Sequence, residues 1–300
     1  KDVAFIFRSS PYGSVSHSHA NNNDFILHVG GRAMAMPAGY YAGYASSHHG
    51  HYVWHTKSHN CVTLSDAPQL LRSPDSTGAI VNAYEDDTIT YMCGVADASY
   101  ADRADRCRRH VIYAKQAGTF LLVDEFAGKP DVLSSLQWNL HAWEPFEVED
   151  RERTFKWGRG KSAVTGVIMC HSEGFFSLSE GWDPPPMKAK WNNEWRNQHH
   201  LRFTPTLLHT QTHDADTRAR YPHGFVPLPN RNLGVVLQTQ LPGQSVASIE
   251  RRLEADGRET VSIGDTHFMV IPTGEVAGVV GEVRVGDTQY QFGDTGLLKV

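Results

Sequence analysis

The sequence predicts an all-β protein, built as one large antiparallel β-sandwich. Short apolar runs of strand length recur along the chain, and Gly, Pro, Asn or Asp bound them. Two segments near the C-terminus carry Gly-Asp turns between alternating residues, which is typical of antiparallel hairpins. Long helical patterns with caps are absent from the sequence, and this argues against a parallel α/β sheet.

The predicted strands follow from these runs. In chain order they are residues 4–7, 25–29, 111–113, 120–123, 163–169, 234–237 and 268–271. The two hairpins cover residues 261–268 and 283–290, with turns at Gly264-Asp265 and Gly286-Asp287. Only residues 245–255 show a weak helical pattern.

The domain prediction is a β-sandwich over residues 1–230, followed over residues 231–300 by its continuation or by a small β lobe. A chain of 300 residues can bury one large core. No apolar run is long enough to span a membrane, and the first seven residues resemble a strand rather than a signal peptide. The net charge of −5 gives no general attraction to nucleic acid or to membranes, so neither is expected as a partner.

The four cysteines are widely spaced and form no CxxC pair. They are Cys61, Cys93, Cys107 and Cys170. This spacing argues against a zinc ribbon, a thioredoxin-type motif and a disulfide scaffold.

Histidines concentrate near the N-terminus, where eight of the 17 lie between His17 and His59. His17 and His19 are two residues apart, so on a strand their imidazoles would share one face, as a metal site or an acid–base centre requires. For any single histidine the alternative is a structural role in the core or at the surface. The concentration favours a functional site in this segment.

Two further segments have a distinctive composition. Residues 182–191 are rich in Pro and Trp and predict a long exposed loop, followed by Trp195. Its tryptophans could stack on sugar rings and its lysines could meet carboxylates, although plain packing is the favoured interpretation. Residues 102–109 alternate arginine with aspartate, which predicts a solvated strand edge with ion pairs.

An ordered series of segments resembles the β-domain signature of the heparinase II/III-like polysaccharide lyases, which include alginate lyases. The series is Arg-Ser-Ser-Pro-Tyr-Gly-Ser-Val-Ser-His-Ser-His-Ala-Asn at 8–21, Ala-Gly-Tyr-Tyr at 38–41, Ser-His-His at 47–49 and Thr-Lys-Ser-His-Asn at 56–60. Residues 106–113, 120–124 and 138–141 also resemble strands of that family. In the family an N-terminal α/α toroid precedes the β-sandwich, and no toroid pattern is visible in this sequence.

The resemblance implies cleavage of uronic-acid polysaccharides by β-elimination. In this reaction a base removes the C5 proton of the uronate, the carboxylate is neutralised, and an acid protonates the departing O4 oxygen. Family members take Tyr, His, Asn and Arg groups from the toroid, and a His and a bound zinc from the β domain. The implied partners are therefore an acidic polysaccharide, such as alginate or a glycosaminoglycan, and a toroid domain in the same precursor or a companion chain. The implied location is the bacterial periplasm or the medium.

Site residues are carried over by their positions in the matching segments. His17 resembles the catalytic-side histidine. Of the adjacent Tyr40 and Tyr41, one is expected in the core and one in the cleft, and Tyr40 is assigned to catalysis. The substrate-binding set comprises Asn21, Tyr41 and His49.

The resemblance implies a zinc site, in which His19 and His59 are the histidine ligands. In well-known members an Asp just before the Gly-Tyr-Tyr element is the third ligand, but here Pro37 occupies that place, and proline cannot bind a metal. Two imidazoles alone would hold zinc weakly, because catalytic zinc sites use three protein ligands. The candidates for a third ligand are His48, His49, His51, His55 and Asp66.

Two other classes of function remain open. One is a non-catalytic carbohydrate- or metal-binding β module, in which the histidines are structural. The other is a metal-assisted hydrolase that uses bound water. Their products differ, because elimination leaves an unsaturated uronate that absorbs in the ultraviolet, hydrolysis leaves a new hemiacetal without that chromophore, and a binding module leaves the polymer intact.

Overall fold

A computed structural model describes residues 2–41, 43–129, 132, 135–170, 172–187, 195–205, 230–254, 258–271, 278–294 and 296–300. Its first twelve strands are β1 (Val3–Arg8), β2 (Asp24–Val29), β3 (Arg32–Ala35), β4 (Val62–Leu64), β5 (Ala79–Glu85), β6 (Ile89–Val95), β7 (Ala104–Ala114), β8 (Thr119–Gly128), β9 (Leu136–Ala142), β10 (Glu147–Glu149), β11 (Thr154–Arg159) and β12 (Ser162–Met169). The later strands are β13 (Gly174–Glu180), β14 (His199–Pro205), β15 (Asn230–Gln240), β16 (Ile249–Leu253), β17 (Glu259–Ile263), β18 (Thr266–Val270), β19 (Val279–Val285), β20 (Thr288–Gly293) and β21 (Gly296–Lys299).

These strands form antiparallel sheets, which confirms the predicted all-β sandwich class. A three-stranded sheet has the order β1-β2-β3, and a four-stranded sheet has the order β13-β14-β9-β4. The largest sheet has eight strands in the order β10-β11-β12-β15-β8-β7-β6-β5. The last six strands pair with their neighbours in chain order, from β16 to β21.

The eight-stranded sheet is the middle layer of the fold, because its two faces take part in separate buried cores. One core joins it to the two smaller sheets around Phe25, Trp138 and Phe203. The other joins it to the six-stranded sheet around Phe268 and Tyr290. Burial on both faces explains why β8 begins as a continuous apolar run rather than an alternating one.

Each predicted strand overlaps an observed strand, although β7, β8 and β15 are longer than predicted and the run 268–271 extends one residue beyond β18. Both predicted hairpins are confirmed. In each hairpin a two-residue turn joins antiparallel partners. Gly264 and Gly286, the first turn residues, have φ of 60° and 55°. Glycine suits this place because the positive φ that such tight turns require costs it little.

Two local predictions are wrong. The segment with a weak helical pattern contains strand β16, because pairing with β17 outweighs its local preference. The charged run at 102–109 is not a strand edge, since β7 lies between β6 and β8. Side chains alternate along β7, so Arg106 and Arg108 form ion pairs with the half-exposed Asp294, whereas Arg109 is completely buried.

The proposed division of the chain near residue 230 falls at the start of β15. This strand pairs with β8 on one side and β12 on the other. The separate sheet of β16 to β21 follows it. The division into residues 1–230 and 231–300 stays a prediction.

Two smaller observations concern the cysteines and membrane spans. The four cysteines are all buried and free of disulfides. Among the residues that the structure describes, no helix is long and apolar enough to cross a membrane.

The buried His110 makes stability depend on pH. Burial by itself would lower the pKa of His110, but Cys93 and the Glu125 carboxylate, whose Oε2 lies 3.5 Å from Nε2, raise it to about 9. Because the pKa is higher in the folded than in the unfolded chain, this stabilisation is fully present below about pH 6.5 and is lost as the pH rises through about 9.

We therefore expect the free energy of unfolding to fall between these pH values, and the contribution of His110 to this fall is on the order of 3 kcal/mol. Urea unfolding of the wild type and of His110→Gln at both pH values measures it, since the difference between the two proteins isolates His110. An identical pH dependence in the two proteins would contradict the assignment.

Candidate active site

The histidine-rich region is formed by loops that meet beside the start of β2. Gly13, in the loop between β1 and β2, has φ of 73°, and a Cβ there would lie 2.6 Å from the Ser73 carbonyl oxygen. Glycine therefore allows this loop to approach the 70–76 loop. The two loops are joined by a 2.9 Å hydrogen bond that Ser14 N donates to the Ser73 carbonyl. Ala20 N likewise donates to the Trp54 carbonyl at 3.1 Å, which fixes the loop against residues 49–58.

The predicted strand placement of His17 and His19 is wrong, because both lie in this irregular loop. The π-helical turn His49–Val53 and the 3-10 helix Thr56–Ser58 form the facing wall. His17 is exposed, whereas His19 is half-buried beside His59. The two histidines therefore occupy neighbouring but different environments.

His19 and His59, which are 40 residues apart in sequence, meet through their ring nitrogens. His19 Nδ1 lies 3.2 Å from His59 Nε2. The other ring nitrogen of His59, Nδ1, lies 2.8 Å from Asp24 Oδ2. This carboxylate also accepts a hydrogen bond from Asn21 Nδ2 at 3.0 Å and one from Asn60 N at 3.0 Å. Asp24 thus fixes the His59 ring and directs its Nε2 towards His19.

The charges of this group follow from its burial. Burial, with a smaller contribution from the neighbouring His59, lowers the pKa of His19 to about 4, so His19 is neutral near pH 7. Burial alone would raise the pKa of Asp24, but His59 and the hydrogen bonds from Asn21 and Asn60 lower it below the usual value. Asp24 is therefore an ionised carboxylate beside a histidine pair.

The pair satisfies part of a zinc site. Nitrogen ligands at zinc–nitrogen distances of 2.0–2.1 Å are roughly 3.3 Å apart around a tetrahedral ion, and the observed separation is 3.2 Å. The Asp24–His59 contact matches the carboxylate that commonly orients a metal-binding histidine. Among the described residues, however, no group of three or more His, Cys, Asp or Glu side chains could hold a metal.

The five candidates for the third ligand are therefore not placed with the pair. His48 Nδ1 lies 2.7 Å from the Pro184 carbonyl, and its Nε2 accepts from Tyr40 N. His55 Nδ1 accepts a hydrogen bond from Lys57 N, and Asp66 pairs with Arg202. His51 is exposed on the π-helical turn, and His49 lies in a separate aromatic group.

That aromatic group lies beside His17. The His17 ring is 5.6 Å from the Tyr44 ring and 6.5 Å from the Tyr41 ring. Both tyrosines also contact His49, with ring centroids 5.4 Å and 4.8 Å away. Tyr41 and Tyr44 are more than half exposed, so their hydroxyls and His17 share one open surface.

His49 is completely buried beneath this surface. Its Nδ1 accepts a 3.1 Å hydrogen bond from Ala45 N, so the neutral imidazole carries its proton on Nε2. Nε2 is buried and has no hydrogen-bond partner among the described residues. Burial lowers the pKa of His49, with help from the nearby His17. His49 is thus a neutral donor with an unused N–H.

Comparison with known proteins identifies the family. The heparinase II/III-like, C-terminal family model matches residues 1–219. The chain belongs to this family. No curated protein matches the chain.

The heparinase II/III-like fold is also found among solved structures. Heparan sulfate lyase HepC from Pedobacter heparinus has a TM-score of 0.65 at 14% identity, over 90% of this chain and 39% of that one. A heparinase III described as the BT4657 gene product gives 0.65 at 13% identity, over 89% and 38%. Another heparinase III structure gives 0.61 at 13% identity, over 89% and 37%. The chain therefore spans less than two fifths of the length of these structures.

In this heparinase II/III-like domain, Tyr40 lies apart from His17. Its hydroxyl donates to the Arg196 carbonyl at 2.9 Å, and its ring packs on Trp143, Trp182 and Trp195. Burial raises the pKa of its hydroxyl. The catalytic assignment of Tyr40 stays a prediction. Of the Pro- and Trp-rich loop, residues 188–194 lie outside the described part of the chain.

Asn21 is buried beside Asp24 and His59 and does not lie on the exposed surface of His17. Its amide nitrogen contacts Asp24, and its side-chain oxygen accepts a hydrogen bond from Arg8. Its role in substrate binding stays a prediction, as does that of Tyr41 and His49.

A cavity of about 360 Å³ lies behind the His59 segment. Tyr52 and Trp182 give it aromatic walls, and its charged lining is mixed, with Lys57 and Arg202 opposite in sign to Glu180 and Asp183. His141 also lines it, and its Nε2 lies 3.1 Å from the His59 carbonyl oxygen, so the cavity and the histidine pair share a wall.

Sequence reasoning missed several residues of the site. Asp24 follows three asparagines and looks like part of a turn, and only its place at the start of a predicted strand could have drawn attention to it. Tyr44, Trp54 and Arg72 lie outside the segments that carry the family resemblance. Their relevance follows from loop packing, which leaves no local sequence signal.

Proposed function

We propose that this domain forms one half of the active site of a polysaccharide lyase, which cleaves uronic-acid polysaccharides by β-elimination. The observation that carries the proposal is the exposed surface of His17, Tyr41 and Tyr44 over the buried donor His49. Such a surface combines a proton-transfer group with hydroxyl and imidazole donors, which elimination needs around the uronate. Family membership and the fold of the heparan sulfate lyases support it.

In the proposed reaction, a base removes the C5 proton of the uronate. The electrons of the broken C5–H bond form the C4–C5 double bond, the C4–O4 bond breaks, and the leaving O4 oxygen takes a proton. His17 transfers a proton in this step. Tyr41 and Tyr44 orient the sugar, and His49 donates a hydrogen bond to it. No water is consumed.

The rest of the site comes from a partner. We propose an α/α toroid, in the same precursor or in a companion chain, as the opposite wall of the cleft. We also propose an acidic polysaccharide, such as alginate or a glycosaminoglycan, as the substrate, and the bacterial periplasm or the medium as the location.

Product chemistry tests the lyase proposal. The chain is incubated with a panel of uronate polysaccharides, alone and together with a toroid domain, while the ultraviolet absorbance of unsaturated uronate is recorded. We expect absorbance to rise when the toroid is present. Shortened polymer without this absorbance would contradict elimination and support a hydrolase.

We propose further that His19 and His59 bind Zn²⁺, although as a pair they lack the usual third ligand. Bound zinc would supply positive charge beside the His17 surface. The neutral His19 presents an unshared electron pair, and Asp24 orients the His59 ring, and both features favour this binding.

His19→Ala and His59→Ala are expected to lower both the zinc content and the melting temperature. The loss of stability is larger for His59→Ala, about 2–4 kcal/mol, because Asp24 keeps its buried charge but loses the His59 contact. Metal analysis and thermal unfolding check this, with the exposed His51→Ala as the matched control. Unchanged zinc content and melting temperature in both variants would refute the ligand assignment.

One observation favours a second function, which is carbohydrate binding without catalysis. The cavity beside Trp182, which has aromatic walls and a polar lining, could hold a sugar unit of the polymer. In that case the polymer would bind but stay intact under the conditions of the ultraviolet assay. Binding lost in Trp182→Ala would locate it in the cavity.

A further inference from the structure

Two neighbouring buried rings beneath the exposed tyrosines each carry an N–H donor that has no hydrogen-bond partner among the described residues. One is Nε2 of His49, and the other is Nε1 of Trp54. Their rings are 4.6 Å apart, and the side chains are 0% and 5% exposed. A buried donor without a partner destabilises the fold, because its hydrogen bond to water is lost and not replaced. A ligand that accepts hydrogen bonds would remove this destabilisation.

Arg72 adds a positive charge at the same place. Its guanidinium carbon lies 4.2 Å above the Trp54 ring, and the side chain is exposed. Stacking on the indole uses the face of the guanidinium, which leaves the N–H groups at its edge free. No carboxylate in the part of the chain that the structure describes forms an ion pair with Arg72.

The position of Arg72 is fixed by the fold. Its loop is bound to the His17 loop through Ser14, whose N donates to the Ser73 carbonyl and whose Oγ accepts from Ser73 N at 3.2 Å. Gly50, directly after His49, lies against the guanidinium, since a Cβ there would be 3.3 Å from Nη2. These contacts hold the Arg72 guanidinium against the Trp54 ring and next to the backbone that follows His49.

We propose that Arg72, Trp54 and His49 form an oxyanion-binding subsite for an acidic saccharide. The ligand group is a carboxylate or a sulfate, because both present several acceptor oxygens to a planar guanidinium and to neutral N–H donors. The subsite rests on the proposed function. It identifies Arg72, Trp54 and His49 as the residues of the β domain that select anionic sugars.

The test measures oligosaccharide binding to the full chain by calorimetry. Three probes are used: an unsulfated uronate oligosaccharide, its carboxyl-reduced form, and a sulfated carboxyl-reduced form. We expect Arg72→Gln to weaken binding of an anionic probe about tenfold and to leave binding of the uncharged probe unchanged. If Arg72→Gln weakens binding of the first probe, the ligand group is a carboxylate, and if it weakens binding of the third probe, the ligand group is a sulfate.

Two further variants separate the subsite from a general charge effect. Trp54→Phe keeps the stacking ring but removes the N–H, and a weaker affinity is expected for the same anionic probe. Arg252→Gln removes a charge from the six-stranded sheet, where the side chain is 73% exposed. This variant should bind every probe with the affinity of the wild type.

Equal affinity of wild type, Arg72→Gln and Trp54→Phe for every probe would overturn the subsite and leave the proposed lyase function standing. Equal weakening by Arg72→Gln and Arg252→Gln would also overturn it, because the effect would be that of net charge. If the wild type bound no probe, the subsite would fall together with the proposed substrate class.

Discussion

His17→Ala is expected to lower the rate of β-elimination by about 100-fold to 10,000-fold, which is the usual contribution of a positioned proton-transfer group. His17 is exposed, and its ring contacts are with the exposed Tyr41 and Tyr44. Its removal should therefore change the free energy of unfolding by less than about 0.5 kcal/mol. Initial rates of ultraviolet absorbance, in a protein that combines the toroid with this domain, measure the effect.

The exposed His51→Ala is the matched control, because it removes a histidine from the opposing π-helical turn. Its rate should equal that of the wild type. A rate for His17→Ala within a factor of about two of wild type would contradict the catalytic assignment. A large loss of stability in His17→Ala would instead indicate a structural role.

Arg109→Met is expected to be the most destabilising substitution, at about 3–5 kcal/mol. Arg109 Nε and Nη2 bind the Asp124 carboxylate at 2.7 and 2.8 Å, and Nη1 binds the carbonyls of Asn23 and Asn60 at 2.7 and 2.6 Å. The side chain is completely buried, so its loss leaves a buried Asp124 charge and two carbonyls without partners.

The control lies one residue earlier on the same strand. Arg108→Met removes a partly exposed pair with Asp294 at 3.4 Å, which should cost less than about 1 kcal/mol. Urea unfolding of both variants compares them directly. The double variant Arg109→Met/Asp124→Leu should recover part of the loss, because it removes the uncompensated charge. Similar stabilities of the two single variants would contradict the account.

The same contacts connect the core to the site. Asn23 directly precedes Asp24, and Asn60 directly follows His59, and Asp24 and His59 are the partners of the buried 2.8 Å contact. Arg109 therefore fixes the backbone on both sides of that pair. Reduced zinc binding in Arg109→Met, at a temperature where the variant is still folded, is the expected consequence.

The fold class was predictable because strand-length runs and Gly-Asp turns are local signals. A buried strand such as β8 is recognisable in the sequence by its continuous apolar residues. The hairpin turns are recognisable by their glycines, which supply the positive φ that such turns need. The arrangement into layers was not predictable, since it depends on which strand faces meet. Arg109 illustrates this, because alternating charge cannot tell which side of β7 is buried.

The site was predictable in part. The family resemblance named His19 and His59, and the structure brings them within 3.2 Å. It could not supply Asp24, because the partner of a histidine in space has no fixed spacing from it in sequence. Trp54 and Arg72 escaped for the same reason, since they join the site only through the packing of separate loops.

The oxygen isotope content of the products tests the central claim most directly. The domain is combined with its toroid and acts on a uronate polysaccharide in water labelled with ¹⁸O, and mass spectrometry analyses the fragments at early times. β-Elimination at the His17 surface predicts unsaturated ends without ¹⁸O from water at the cleaved bond, and a yield of these fragments from His17→Ala that is lower by the same factor as its rate. Saturated fragments that carry ¹⁸O at that bond would show hydrolysis and contradict the account.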